Sequence, residues 1–249
     1  MLLAIRGLKN SEAVSTQLSD SRSHGLTGPL RRHALLAAAL LLGGCSPAAL
    51  NELRGDPYPL DEHSRDAASD EPCPAVELMT YAGTALRFRP AVRVASPFVA
   101  HLQRFERVAL RVALQTYGRA PATVRHAGTY VCRPVRSSRA GRWSEHAFGN
   151  AIDVIGFDFE RAAQDPKDPA ASSSPASLPV ALRRRFVVRV AQHWAASSDA
   201  SVQLHGTFLR RLAAALADEN VFRAMIGPSD PRHRTHLHCD MGPWRYQNI

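Results

Sequence analysis

His146 and Asp153 stand seven residues apart in Ser144-Glu145-His146-Ala147-Phe148-Gly149-Asn150-Ala151-Ile152-Asp153, and His236 and His238 form an HxH pair near the far end of the chain. Two imidazoles and a carboxylate are the nitrogen and oxygen donor set that lets zinc keep one position open for water. Gly149 permits a turn between the two members of the first group, so a ligand ending one segment and a ligand on the following strand can meet at one point. His236 and His238, at i and i+2 of an expected strand, project from the same face. Leu237 and Cys239 then point into the core, and Asp240 joins the histidine face. Either group alone is weak evidence; their occurrence in one chain, each on strand-like sequence, is the signal.

Positioning these residues requires a sheet. Ala151 to Phe157 reads as a strand with Ile152 and Val154 on one face and Ala151, Asp153 and Ile155 on the other, and Tyr130 to Arg133 and Phe186 to Val190 read as two more. Ser96 as N-cap and Pro97 as first helical residue start a helix that buries Phe98, Leu102, Phe105, Ala109 and Val112 and stops at Gly118. A second helix is expected from Thr207 to Met225, ended by Gly227-Pro228. This order predicts an α+β fold, with helices packed on one side of a small antiparallel sheet and the metal in a groove on the open sheet face.

The 249 residues are 45% hydrophobic and 21% charged, which suits one domain with appendages. The net charge of +9 is almost wholly arginine, since Lys9 and Lys167 are the only lysines. No tight basic cluster with interleaved aromatics occurs, so nucleic acid is not an expected partner. Arg31-Arg32-His33, the apolar run Ala34 to Leu42 and Gly43-Gly44-Cys45-Ser46-Pro47 have the form of an export signal too short to span a membrane. Residues 1–45 are therefore read as an N-terminal lead and signal, 46–72 as an acidic, proline-containing tether, and 73–249 as the folded domain, with a Pro/Ala/Ser-rich loop at 164–179. An exported chain would expose Cys73, Cys132 and Cys239 to oxidising conditions. Cys73 with Cys132 is the first pairing to consider because Cys239 adjoins a candidate ligand, while three unpaired thiols are an equal alternative.

Ser144, His146, Gly149, Ala151 and Asp153 match, position by position, the SxHxxGxAxD motif of zinc D-Ala-D-Ala carboxypeptidases and their relatives of the hedgehog/DD-peptidase fold. The chain more closely resembles the bacterial extensin-like C-terminal domain family. The likeness lies in Ala127 to Arg133, Ser144 to Phe157 and His233 to Asp240, within a span of about residues 73 to 245. This resemblance implies zinc held by His146, Asp153 and His238. His236 would stand beside the metal to orient or deprotonate water or to stabilise a tetrahedral intermediate. Arg133 would contact a substrate carboxylate or the developing oxyanion, and Ser144 is read as substrate-binding. The implied activity is zinc-dependent hydrolysis of amide bonds in peptidoglycan stem peptides, of carboxypeptidase or endopeptidase type. Leu42-Gly43-Gly44-Cys45 resembles a lipobox, which implies a periplasmic protein anchored to a membrane through lipidated Cys45. Ser46 after it points to the outer membrane. One departure stands out. The extensin-like pattern reads HxDHxH and the carboxypeptidases carry a glutamate base three residues before the last zinc histidine, where this chain has Thr235. Three alternatives follow: His236 takes the proton, Asp240 or Glu145 substitutes, or the protein binds the wall without cutting it.

Overall fold

Ala151–Phe159, an apolar strand of nine residues, is the spine on which the main sheet is assembled. The computed structural model describes residues 57–67, 72–135, 141–161 and 180–249. The signal and Cys45, the tether at 46–56 and 68–71, and the loop at 164–179 lie outside the described residues. In chain order the elements are β1 (Leu78–Tyr81), β2 (Arg87–Arg89), β3 (Val92–Ala95), α1 (Ser96–Tyr117), β4 (Thr123–His126), β5 (Ala151–Phe159), α2 (Val180–Arg183), β6 (Phe186–Arg189), α3 (Val190–His193), α4 (Ala200–Asp218), β7 (Ala224–Ile226), β8 (Leu237–Asp240) and β9 (Tyr246–Asn248). The main sheet has the order β2-β4-β5-β8-β7-β9, with β6 also on β5, while β1 and β3 form a separate pair.

The fold is α+β, as expected, but the sheet is mixed. β2 runs parallel to β4 and β7 parallel to β9. A crossover containing α1 separates the first pair and β8 intervenes in the second, so each partner returns in the same direction. Among the described residues no helix is long and apolar enough to cross a membrane.

Strand β5 buries Ile152, Val154, Phe157 and Phe159, a set that strict alternation would split between two faces. An irregularity resolves this: Arg125 pairs with Gly156 and the next residue, His126, with Val154, leaving Ile155 as the extra residue. Phe157 then stacks on Phe105 of α1 and meets Phe208 of α4 edge-on, and Phe159 packs against Tyr117. Asp153 stays on the opposite, more open side.

Helix α1 buries the predicted stripe, but Ala95 is its N-cap, no side chain caps it, and Gly118 ends it in the left-handed conformation. Helix α4 starts earlier than expected because Asp199 accepts hydrogen bonds from the Ser201 and Val202 amides. It also ends earlier, with left-handed Asn220 just beyond it, which frees Ala224–Ile226 to form β7. Tyr130 to Arg133 is not a strand. The Val131 amide is taken by the His146 carbonyl, and the Arg133 carbonyl accepts from the Ser144 amide beside an isolated antiparallel bridge between Pro134 and Trp143, so this backbone makes single contacts rather than a ladder. Cys73 and Cys132 form a disulfide across 59 residues, and Cys239 is free and buried. Loop-closure entropy makes such a crosslink worth about 4 kcal/mol, and it pins the segment carrying Arg133.

Between helices and sheet, Tyr117 Oη lies 2.9 Å from Nδ1 of buried His205, whose ring stacks on Phe186 and meets His193 edge-on. Burial, then the charge of His193, lowers His205 to about 4, against a smaller opposing pull from Asp199. A histidine less basic when folded favours the unfolded state on protonation. Stability supported by neutral His205 is therefore present above about pH 6.5 and lost as pH falls toward 4. Thermal midpoints across this range are expected to drop, and to drop less in His205→Phe.

Candidate metal centre

The two halves meet through strand register. Asp153 of β5 is directly opposite His238 of antiparallel β8, and Ala151 is opposite Asp240. Cross-strand partners share a face with Cβ atoms about 5 Å apart. A small residue at 151 leaves room beside the Asp240 carboxylate.

The third donor comes from a tight 3₁₀ turn, Glu145–Phe148, immediately before β5. Ser144 caps the turn by accepting from the His146 amide, and Gly149 ends it at φ 61°. A Cβ at Gly149 would stand 2.8 Å from the Ala95 nitrogen, so both the conformation and the close approach require glycine. The Thr129 carbonyl accepts from His146 Nδ1 at 2.9 Å, which leaves Nε2 as the lone-pair side of the ring.

His146 Nε2 lies 3.2 Å from Asp153 Oδ1 and 3.2 Å from His238 Nδ1, and His238 Nδ1 lies 2.9 Å from Asp153 Oδ1. These three donor atoms could hold one metal ion, being all within 4.8 Å of one another. On the far side of its ring His238 Nε2 donates to Asp240 Oδ2 at 2.8 Å, and Asp240 Oδ1 accepts from the Gly242 amide. With Nδ1 of His146 and Nε2 of His238 both donating outward, His146 Nε2, His238 Nδ1 and Asp153 Oδ1 face one another, and this arrangement favours a positive charge at their meeting point, a proton on His238 or a cation in its place. The electrostatics agree. Burial disfavours a charged His238, yet the hydrogen bonds it donates to Asp153 and Asp240 overcome this and push the ring up to about 10. Burial likewise opposes the Asp153 carboxylate, but His146 and His238 hold it well below the usual range.

A carboxylate behind a metal-ligating histidine fixes its tautomer and raises its basicity. Asp240→Asn is expected to weaken metal binding roughly 10–100-fold, readable by competition with a chromophoric chelator. Asp240, one of the alternative bases the sequence offers, accepts from the outer side of the His238 ring and from the Gly242 amide. Glu145 is likewise engaged elsewhere, by Arg65 and Asn150. Burial raises its pKa most, Arg65 pulls it back down, and Asp240 adds to the rise.

His236 precedes β8 rather than lying in it, yet its Nε2 is 3.6 Å from Asp153 Oδ1 and its Nδ1 is 3.2 Å from Thr235 Oγ1. Burial lowers its pKa against an opposing pull from Asp153. Arg133 lines the same cleft, of about 810 Å³, and is half-buried with no carboxylate partner among the described residues. Ser144 also borders the cleft, but its hydroxyl is committed to the turn. Two participants had no role in the sequence reading. His233 sits 5.0 Å from the His236 ring, and Arg65 holds the ligand turn from outside. His233 stood in a recognised motif, whereas Arg65 lay in a stretch whose composition reads as tether.

Residues 56–165 match the family described as extensin-like protein C-terminus. The match supports the extensin-like family over a span that holds Arg133, Ser144, His146 and Asp153 and ends before His236 and His238. It also begins before Tyr58, in keeping with a domain that starts earlier than residue 73. None of the curated proteins or solved structures compared matches the chain.

Proposed function

We propose that the chain is an exported, lipid-anchored zinc metallopeptidase of the DD-peptidase type that hydrolyses amide bonds in peptidoglycan stem peptides. The observation that carries this reading is the convergence of His146 Nε2, Asp153 Oδ1 and His238 Nδ1 at 2.9–3.2 Å. Tetrahedral zinc with bonds of about 2.0–2.1 Å has ligand–ligand edges of about 3.3 Å, so the donors fit the ion in both type and spacing. Zinc bound there supplies Lewis acidity, lowering the pKa of water toward about 7 and polarising the scissile carbonyl.

The chain's own groups supply the rest. His236 with Nδ1 donating to Thr235 presents the Nε2 lone pair toward the donor cluster, where it removes the proton of the attacking water and passes it to the leaving amine. Arg133 offers a planar fork to a substrate carboxylate or to the developing oxyanion. The aromatic and apolar walls of the cleft, including Trp143 and Ile226, exclude bulk water around these charges. Acylation of Cys45 would tie the domain to the membrane.

Incubating purified protein with defined muropeptides is expected to release D-alanine or split cross-links, and a chelator is expected to stop the reaction. Thr235 supports a second reading. Its hydroxyl occupies the place of the acidic residue in related proteins, so a wall-binding protein with a structural metal is the alternative. Tight association with sacculi without any new muropeptide would favour it.

A further inference from the structure

Residues 57–67 are packed on the domain, where the sequence reading had placed a tether. Tyr58 and Leu60 are buried in the core, and Arg223 pairs with Asp61 at 2.7 Å. Arg65 is the centre of this strap. Its Nε and Nη2 grip the two carboxylate oxygens of Glu145 at 2.9 and 3.1 Å, its Nη1 donates to the Leu60 and His63 carbonyls, and its guanidinium lies 4.3 Å over the Phe148 ring. The Arg65 carbonyl also accepts from the Trp143 amide at 2.7 Å. Tyr58 Oη donates to Asn150 Oδ1, and Asn150 Nδ2 donates to Glu145 Oε2, both at 2.8 Å.

Glu145 and Phe148 are the two ends of the 3₁₀ turn that presents His146, and Asn150 directly follows its glycine. Both side chains of the Arg65–Glu145 pair are about a tenth exposed, at 9% and 11%. A bidentate pair so enclosed has one geometry, and it clamps the turn beside the ligand.

We infer that Arg65 and Glu145 are a positioning pair for the metal ligand His146, so that docking of residues 57–67 and metal binding are one linked equilibrium. The inference rests on His146, Asp153 and His238 being the metal ligands. Linkage is reciprocal: a docked strap raises metal affinity, and bound metal tightens the strap by the same factor. Lifting the strap therefore weakens the metal site without touching any ligand.

The test uses the full chain and zinc alone. Zinc affinity is measured by chelator competition for the native protein, Arg65→Ala, Arg65→Lys and His146→Ala. Arg65→Ala is expected to bind zinc about 10–100-fold more weakly, with Arg65→Lys in between because an ammonium cannot make the fork. In the native chain zinc is expected to slow hydrogen exchange at the amides of His63, Ala67 and Trp143. A folded Arg65→Ala protein with native zinc affinity overturns the coupling. Should Arg65→Ala fail to fold, the native exchange decides: slowing by zinc supports the coupling, and unchanged exchange in the strap overturns it. Loss of zinc in His146→Ala but not in Arg65→Ala defeats only the strap's role, whereas undiminished affinity in His146→Ala defeats the metal assignment itself.

Discussion

Asp153→Asn is expected to lose zinc binding by more than the roughly 10–100-fold that removal of an outer hydrogen-bond partner costs, because it replaces the only anion among the three donors with a neutral amide oxygen. The substitution is nearly isosteric, and Asp240 still holds His238, so the sheet register should survive. Circular dichroism of the metal-free protein should keep its native form, while its thermal midpoint should fall at neutral pH because the enclosed Asp153–His238 pair is lost. Chelator competition then reads the site directly. A second signature accompanies it. His238, pushed up to about 10 between two carboxylates, carries a proton at neutral pH that any metal must displace. Zinc affinity should therefore rise with pH, and titration calorimetry in buffers of different ionisation enthalpy should register proton release in the native protein. Native affinity in Asp153→Asn would dismiss the assigned donor set.

His236→Ala should separate catalysis from binding. On the proposed reading, in which His236 moves the proton, its loss costs on the order of 10²–10⁴ in rate, so kcat should fall by that factor while zinc affinity stays within a few-fold of native. The sign of the pH effect follows from burial, which lowers the His236 pKa below its ordinary 6.5. A base works when neutral, so activity should hold at neutral pH and fall as pH drops below 6.5 through that lowered value. Thr235→Val removes the hydroxyl 3.2 Å from Nδ1 and should cost less than His236→Ala, since the ring remains but is less firmly oriented. Full turnover by His236→Ala would reassign the base.

The turn and strand around the first ligands were legible because their chemistry is local. Gly149 must be glycine where φ is 61°, Ser144 caps the turn, and Asp153 alternates with buried Ile152 and Val154. The α1 stripe was readable for the same reason, one face of a helix repeating in the chain. The failures had nonlocal causes. Tyr130 to Arg133 has strand-like composition, but its Val131 amide and Arg133 carbonyl bond to His146 and Ser144. The end of α4 depends on a left-handed Asn220, and that conformation is not encoded in apolar periodicity. The acidic stretch around Arg65 resembles a tether until Glu145, eighty residues away, provides the partner that buries it.

The amino-acid sequence by itself determined which atoms could bind a metal: two histidines and an aspartate, a glycine that permits the turn, and alternation that faces the ligands away from the core. Only the tertiary structure decided that Asp153 lies opposite His238, that Asp240 bonds the outer side of the His238 ring, and that residues 57–67 pack against the turn bearing His146. Donor chemistry resides in single side chains and short spacings. Register and docking are instead properties of segments far apart in the chain, selected by the shared core that all of them must close.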